Sequence, residues 1–167
     1  TTSRLRYLDY IQKLVDNPET LEKNIHSTVE KCLWIFGVEH SLMTSNETLK
    51  TIVDKYTNKK YSGDRASRRP DLLLNQNVSN KYLLIEFKHP KHTIGRDDEN
   101  QAEKYRDDLF EYIHSDIEIL VIGGKVDAKI SNQYLGKSIK LLSYYEIISL
   151  ARSQLNWLLD ELKTGVS

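Results

Sequence analysis

A short apolar run in the second half of the chain constrains the fold more than any other feature. Residues 117–122 are Ile-Glu-Ile-Leu-Val-Ile, and Gly123 and Gly124 follow directly. Such a run, closed by glycines, predicts a strand that is buried on both faces of a sheet. The chain must then supply helices for both sides of that sheet, which favours an α/β fold.

Helical patterns fill the first third of the chain. An apolar stripe at helical spacing over residues 5–15 predicts the first helix. The segment Asn17-Pro18-Glu19 predicts the start of a second, with Asn as N-cap and Pro at the first helical position. This second helix is expected to end at Gly37. A capping box at residues 44–47 predicts a short third helix through about Tyr56.

Strands and helices alternate in the remainder. Residues 71–74 and Tyr82–Lys88 are predicted to pair as a hairpin. A helix is expected from about residue 97 to residue 114. A strand at residues 139–142 follows the apolar run, and a capping box then opens a long helix over residues 143–163. This order predicts a small mixed β-sheet flanked by helices.

The length and composition are those of one globular domain of ordinary size. The chain has 167 residues, with 24 basic and 24 acidic side chains and a formal net charge of zero. We divide the domain into N-terminal helices at residues 1–56 and an α/β core at residues 57–167. Because the sequence begins Thr-Thr-Ser without methionine, we expect a fragment of a longer chain. No apolar run approaches the roughly 18 residues of a membrane helix, and the single Cys32 excludes an intrachain disulfide framework. A cytoplasmic protein is therefore expected.

Two acidic residues and a lysine mark the hairpin as the candidate site. Glu86 and Lys88 are two residues apart on one strand and therefore face the same way. Asp71 begins the partner strand and is expected opposite or close to Glu86, where Cβ atoms are about 5 Å apart. Two carboxylates this close repel each other unless a cation lies between them, and Mg²⁺ prefers such oxygen ligands. The pattern predicts a divalent-metal site in which Lys88 orients a water molecule or stabilises a charged transition state.

These residues also resemble a known motif. Pro70-Asp71, followed on a hairpin by Glu86-Phe87-Lys88, resembles the motif of the PD-(D/E)XK nuclease superfamily. Gln101 and Tyr105 on the next helix are similar to the QxxxY motif of its RecB-like members. Over roughly residues 21–122, the wider pattern resembles the Shedu-type anti-phage nuclease domain. Beyond that range the chain carries no motif that matches.

The resemblance implies a fold, an activity and a set of roles. The fold is a three-layer restriction-endonuclease-like one, and the activity is a Mg²⁺- or Mn²⁺-dependent DNA endonuclease in anti-phage defence or restriction. Asp71 and Glu86 are implied as metal ligands with the Phe87 carbonyl as a third, and Gln101 as a residue that orients Lys88 or the scissile phosphate. An alternative stays open, in which the fold is inactive and serves in DNA binding or assembly. Association into a homo-oligomer, or with other domains of a longer chain, also stays open.

An upstream helix is expected to bring one more carboxylate toward the metal, as in many members of the superfamily. On a helical wheel that begins at Leu21, Glu22 falls at about 100°, inside the apolar arc, and Glu30 at about 180°, outside it. A charge among core-facing residues is costly unless it has a partner. Glu22 is therefore the predicted catalytic residue and Glu30 the solvated one. The plain alternative is that Glu22 is a first-turn acid favoured by the helix dipole.

A basic segment comes directly before Asp71. Residues 57–69 contain five basic residues and one acidic residue, and they predict a loop. The zero net charge counts mildly against nucleic-acid binding, but local clustering can supply the field that attracts phosphate. A solvated loop without function is the alternative. The candidate DNA-binding residues, in this segment and beyond it, are Lys59, Lys60, Arg65, Arg68, Arg69, Lys91 and Tyr105.

Other conspicuous residues have simpler interpretations. His89 and His92 lie in a loop without a cysteine partner, which favours a phosphate-facing loop over a zinc site. His26 is expected to be an edge histidine of its helix that could flank the active site. Trp34 and Trp157 are expected to anchor the core rather than to stack on bases.

Overall fold

A mixed four-stranded sheet lies at the centre of the structure, a computed structural model that describes residues 2–36, 47–77, 79–130 and 139–165. The strands in chain order are β1 (Asp71–Gln76), β2 (Tyr82–Phe87), β3 (Thr93–Ile94), β4 (Ile117–Gly123), β5 (Lys125–Val126) and β6 (Ile139–Ser143). The central sheet has the order β1-β2-β4-β6, and β3 pairs with β5 in a separate two-stranded sheet. β1 and β2 are antiparallel, whereas β2, β4 and β6 run parallel to one another.

Helices cover both faces of the central sheet. They are α1 (Thr2–Asp16), α2 (Glu22–Val29), α3 (Glu47–Lys60), α4 (Arg96–Ile113) and α5 (Tyr144–Gly165). One apolar core joins Leu73, Ile85 and Phe87 of the sheet to α1, α2 and α5. A second core joins Leu72 and Leu84 to α3 and α4. The predicted α/β class, a small mixed sheet flanked by helices, is confirmed.

Several local predictions are also confirmed. β4 is buried on both faces: Leu120 and Ile122 belong to the core with α5, while Ile119 and Val121 pack with Ala102 of α4. The capping box that opens α5 is formed, since the Glu146 N–H donates to Ser143 Oγ at 3.1 Å and the Ser143 N–H donates to Glu146 Oε1 at 3.3 Å. Within the described ranges, no helix has the length and apolar character to cross a membrane.

The second helix begins later and ends earlier than predicted. It runs from Glu22 to Val29, and a separate 3-10 turn follows at Leu33–Phe36. Asn17 does not cap it: Asn17 Oδ1 accepts a hydrogen bond from the Glu19 N–H at 3.0 Å, which closes a local turn. The predicted end at Gly37 and the first three residues of the box at 44–47 lie outside the described residues.

Two further predictions are wrong. The basic segment is not a loop throughout, because α3 continues through Lys60 and residues 63–68 form a 3-10 turn. Trp157 does not anchor the core, since it is 64% exposed on α5. Trp34 does pack against the core, and the Arg4 guanidinium lies 5.0 Å from the centre of its ring.

The loop between β2 and α4 is held against the end of β4. The Gly124 N–H donates to the His92 carbonyl at 2.8 Å, and the Asp127 N–H donates to the Ile94 carbonyl at 2.9 Å. A Cβ atom at Gly124 would lie 2.0 Å from the Pro90 carbonyl oxygen. Because that oxygen is backbone and cannot rotate away, only glycine permits this approach.

Gly124→Ala is therefore expected to lower the free energy of unfolding by about 2 kcal/mol, within the range of about 1–3 kcal/mol for overpacked sites. The measurement is urea denaturation. Gly95→Ala is the matched control, because a Cβ atom at Gly95 would meet nothing within 4 Å. Equal losses of stability in the two variants would show that the close approach to Pro90 does not matter.

Candidate active site

Asp71 lies on the face of the sheet that α2 covers. In the β1–β2 register Asp71 is opposite Phe87, and directly opposed residues of an antiparallel pair share a face. Phe87 belongs to the core with α1, α2 and α5. Asp71 Oδ1 contacts Nδ1 of His26 on α2, and the His26 ring stacks on Phe87 with 4.9 Å between ring centres. His26 thus flanks the site. It lies four residues, about one helical turn, after Glu22, and this spacing can be read from the sequence alone.

Glu86 lies on the other face. It is opposite Leu72, which packs in the core with α3 and α4. Lys88 is on the same side, as predicted, and its Nζ is 3.4 Å from Glu86 Oε2. Both polar backbone groups of Lys88 are hydrogen-bonded: its N–H donates to the Ile122 carbonyl at 2.8 Å, and its carbonyl accepts from the Tyr144 hydroxyl at 2.7 Å.

Asp71 is close to Glu86 at one end of the strand pair, but it is not directly opposite Glu86, and the two side chains lie on opposite faces of the sheet. The hairpin register differs by one residue from the one that would put Asp71 opposite Glu86. Since the side-chain period of a strand is two, one residue moves a side chain to the opposite face. Asp71 and Glu86 are still neighbours at the same end of the strand pair, and their side chains leave it in opposite directions.

Glu86 is a buried acid with few partners. Only 1% of the residue is exposed, and neither carboxylate oxygen accepts a hydrogen bond in the described part of the chain. The approach of Lys88 is an ion pair rather than a well-directed hydrogen bond. Burial raises the pKa of Glu86 from 4.5 to about 7, although the positive charge of Lys88 opposes the shift.

Asp98, near the start of α4, is a site residue that the sequence analysis missed. Asp98 Oδ1 is 3.5 Å from Lys88 Nζ, while Oδ2 accepts a hydrogen bond from the Gly95 N–H at 2.8 Å and contacts His92 Nε2 at 2.9 Å. Burial alone would raise its pKa, but the contacts with Gly95, His92 and Lys88 lower it. The available signal is an Asp three residues after a glycine at a helix start, a position from which the Asp side chain can accept from the N-cap N–H.

Tyr105 does not lie where a DNA-binding role requires, and Gln101 is not the α4 residue next to Lys88. Gln101 is exposed on α4, and the α4 side chain that contacts Lys88 is Asp98 instead. Tyr105 is only 3% exposed and packs in the core of α3 and α4, so its ring is not available for a DNA contact. Burial and, after it, the negative charge of Glu86 raise the pKa of the Tyr105 phenol. Tyr105 is thus a buried neighbour of Glu86.

The two competing glutamates of α2 have different neighbours. Burial is the main cause that raises the pKa of the Tyr144 phenol, and the negative charges of Asp71 and Glu22 raise it further. Glu22 belongs to α2, the helix whose His26 contacts Asp71. Glu30 is not plain solvated surface, since its Oε2 is 4.0 Å from His26 Nε2.

The candidate DNA-binding cations fall into two groups. Lys60 Nζ is 2.7 Å from Asp108 Oδ2, and Arg69 contacts Asn58 and lies 3.7 Å from Asp54. The remaining three of the basic segment are exposed and make no ion pair with a described residue. They are Lys59, Arg65 and Arg68.

The loop after Lys88 has a structural role. The Lys91 side chain is exposed, and its N–H donates to His89 Nδ1 at 3.1 Å. His92 contacts Asp98.

In residues 2–36, 47–77, 79–130 and 139–165, no three His, Cys, Asp or Glu side chains are arranged to hold one metal ion.

The donor chemistry at the strand end nevertheless fits a hard divalent cation. Three buried carboxylate oxygens have no hydrogen-bond partner in the described part of the chain: Asp71 Oδ2, Glu86 Oε1 and Glu86 Oε2. Unpartnered buried carboxylate oxygens are costly, and oxygen is the ligand that Mg²⁺ prefers. Cation binding is one way to satisfy such oxygens, although Asp71 and Glu86 leave the sheet on opposite faces.

Models of protein families, curated proteins and solved structures were each compared with this chain, and none matches it.

The raised pKa of Glu86 predicts a pH dependence of stability in metal-free buffer. Between pH 4.5 and about 7, the folded chain holds the Glu86 proton more tightly than the unfolded chain does. Its contribution to stability is therefore fully present below pH 4.5 and is lost as the pH rises through about 7. Glu86→Gln, which cannot ionise, is expected to gain stability relative to the wild type over this range.

The measurement is urea denaturation of both proteins from pH 4 to pH 8. Glu118→Gln, at an exposed position of β4, is the control and is expected to give a constant difference from the wild type. If the wild-type and Glu86→Gln curves run parallel, Glu86 does not titrate in this range.

Proposed function

We propose that the chain is a metal-dependent phosphodiesterase that cuts DNA, with the restriction-endonuclease-like fold of the PD-(D/E)XK superfamily. One observation carries the proposal: the buried acid Glu86, whose oxygens accept no hydrogen bond in the described part of the chain, lies beside Lys88 at the strand end where one Asp71 oxygen also lacks a hydrogen bond. Burying a carboxylate whose oxygens accept no hydrogen bond is hard to account for by stability alone. It is accounted for if a cation belongs there.

Asp71, Glu86 and the carbonyl of Phe87 would hold the ion, Mg²⁺ or Mn²⁺. The bound ion would lower the pKa of a water molecule and offset the negative charge of the phosphate. Phe87 follows Glu86 directly and pairs with Asp71 across the strands. The proposed ligands are therefore consecutive or directly paired positions of one hairpin.

The reaction is a hydrolysis. The water oxygen forms a bond to phosphorus, the bond from phosphorus to the 3′ oxygen breaks, and the 3′ oxygen leaves and takes up a proton. Lys88 is the residue that orients the water or stabilises the charge that develops on the phosphate. Glu22, on the helix whose His26 contacts Asp71, is a carboxylate that can accept a hydrogen bond from the water.

The proposed setting is the cytoplasm, in defence against phage or in restriction. That setting rests on the resemblance of the Pro70-Asp71 and Glu86-Phe87-Lys88 segments to the Shedu-type pattern. The substrate surface is the basic segment before Asp71, where exposed cations can bind phosphates of any sequence.

The direct test is cleavage of supercoiled plasmid in Mg²⁺, with and without EDTA. Asp71→Asn, Glu86→Gln and Lys88→Met are each expected to reduce the rate at least about a hundredfold, as removal of a general acid, base or charge-stabilising group does. EDTA is expected to stop cleavage by the wild type. The rates are measured by gel as nicked and linear product.

Asp116→Asn is the matched control, because Asp116 is exposed just before β4, at the opposite end of the sheet. It is expected to cleave at the wild-type rate. Undiminished nicking by Lys88→Met would contradict the proposed mechanism, and cleavage that persists in EDTA would contradict the metal dependence.

A second candidate function is a catalytically inactive nuclease-fold module for DNA binding or assembly. The β1–β2 register favours it, because Asp71 and Glu86 leave opposite faces of the sheet. The two candidates differ in the plasmid assay: an inactive module binds DNA but leaves it intact at every metal concentration.

The three exposed cations of the basic segment, which make no ion pair with a described residue, are expected to bind DNA phosphate. Replacing Lys59, Arg65 and Arg68 together by Gln should weaken the affinity for all sequences alike. The slope of log K against log salt concentration should also become shallower by about 2–3, since each lost phosphate contact removes about 0.9 from that slope. The measurement is fluorescence anisotropy with duplex DNA in EDTA over a range of salt.

Lys60→Gln with Arg69→Gln is one control, because these two cations already have acidic neighbours in the fold. It is expected to change the slope less than the triple replacement. Replacing Arg6, Lys13 and Lys163, which are exposed on α1 and α5, controls for net charge. If this distant triple flattens the slope as much, the basic segment is not the DNA surface.

A further inference from the structure

We propose that Asp98 is the positioning residue of the site: it holds the Lys88 ammonium in place when a cation occupies Glu86. This inference deepens the proposed function, on which it rests, and it assigns to Asp98 the orienting role that the sequence assigns to Gln101. It follows from the geometry around Lys88 Nζ and from the way Asp98 itself is fixed.

Lys88 Nζ lies between two carboxylates at nearly equal distances. Glu86 Oε2 is 3.4 Å away and Asp98 Oδ1 is 3.5 Å away. In the proposed site the Glu86 oxygens would bind the cation. The positive ion also repels the ammonium. Lys88 then needs another anion to keep its position, and Asp98 is the anion within reach.

Burial and hydrogen bonds fix the position of the Asp98 side chain. Only 12% of its side chain is exposed, and its second oxygen is held by the Gly95 N–H at 2.8 Å and by His92 at 2.9 Å. One oxygen is thus occupied by the loop, and the other faces Lys88. A flexible surface acid could not define the position of an ammonium, but a carboxylate fixed in this way can.

The loop that holds Asp98 is itself tied to the sheet. The Gly124 N–H donates to the His92 carbonyl at 2.8 Å, and Gly124 lies directly against the Pro90 carbonyl. Two contacts, one from β4 and one from the residue after it, therefore fix the position of Lys88. Its backbone bonds to Ile122, and its ammonium is held through the loop and Asp98.

The inference can be tested without cleavage. In protein with ¹³C-labelled lysine, the two ε-methylene protons of Lys88 have different chemical shifts if the side chain is held in one position, and Lys88→Arg identifies the signal. Asp98→Asn, which keeps the shape and loses the charge, is expected to merge the two shifts in the presence of Mg²⁺. Asp97→Asn, at the exposed neighbouring position, should leave them distinct. An unchanged Lys88 signal in Asp98→Asn overturns the inference.

Kinetics give the second readout. Asp98→Asn is expected to lower kcat about 10–100-fold, the usual effect of losing a supporting contact around a metal site, with KM for DNA unchanged. Asp98→Glu, which keeps the charge, should retain more activity than Asp98→Asn. The inference is overturned if both variants lose the same activity and both show a raised KM or a lowered melting temperature. Asp98 would then have a structural role only.

The outcomes separate this inference from the proposed function. If the wild type does not cleave DNA but the Lys88 signal depends on Asp98 and not on Asp97, the positioning holds and the nuclease proposal fails. If the wild type cleaves and Asp98→Asn has the same kcat, the nuclease proposal holds and the positioning fails. Asp98→Ser, which keeps an acceptor for the Gly95 N–H, replaces Asp98→Asn if that variant does not fold.

Discussion

The pairing of Asp71 with Phe87 across β1 and β2 decides where each charged group of the site lies. This one register turns Asp71 toward α2 and Glu86 toward α4. Two apolar cores hold it, because Phe87 packs with the helices on one face and Leu72 with those on the other. A slip by one residue would put both apolar sets and both carboxylates on the wrong faces. The position of the charges is therefore as firmly set as the cores themselves.

The site keeps a buried charge at a cost to stability. Burial raises the pKa of Glu86, so the ionised form is disfavoured without a partner. The positive charge of Lys88 offsets part of this cost, whereas the negative charge of Asp98 adds to it. A buried ion pair seldom stabilises a fold more than apolar residues would. One Asp71 oxygen contacts His26, and the other has no hydrogen-bond partner in the described part of the chain. The proposed cation would use these acceptors.

Sequence patterns predict what depends on local periodicity. Glu86 and Lys88 share a face because they are two residues apart on a strand, and the capping box at Ser143 needs only its own four residues. The register of Asp71 could not be predicted, since it depends on a turn geometry that must be right to one residue. The contact of Asp98 with Lys88 depends on a loop whose path is fixed by the distant Gly124. The sequence therefore predicts the site residues on one strand, but not how neighbouring elements bring them together.

The central claim is that carboxylates leaving opposite faces share one cation at the end of the strand pair. The most direct measurement is Mn²⁺ binding without DNA, followed by electron paramagnetic resonance, for the wild type, Asp71→Asn and Glu86→Gln. The account predicts one site in the wild type and a loss of affinity of at least about tenfold for that same site in each variant. Wild-type affinity in either variant, or no binding by the wild type, would contradict it.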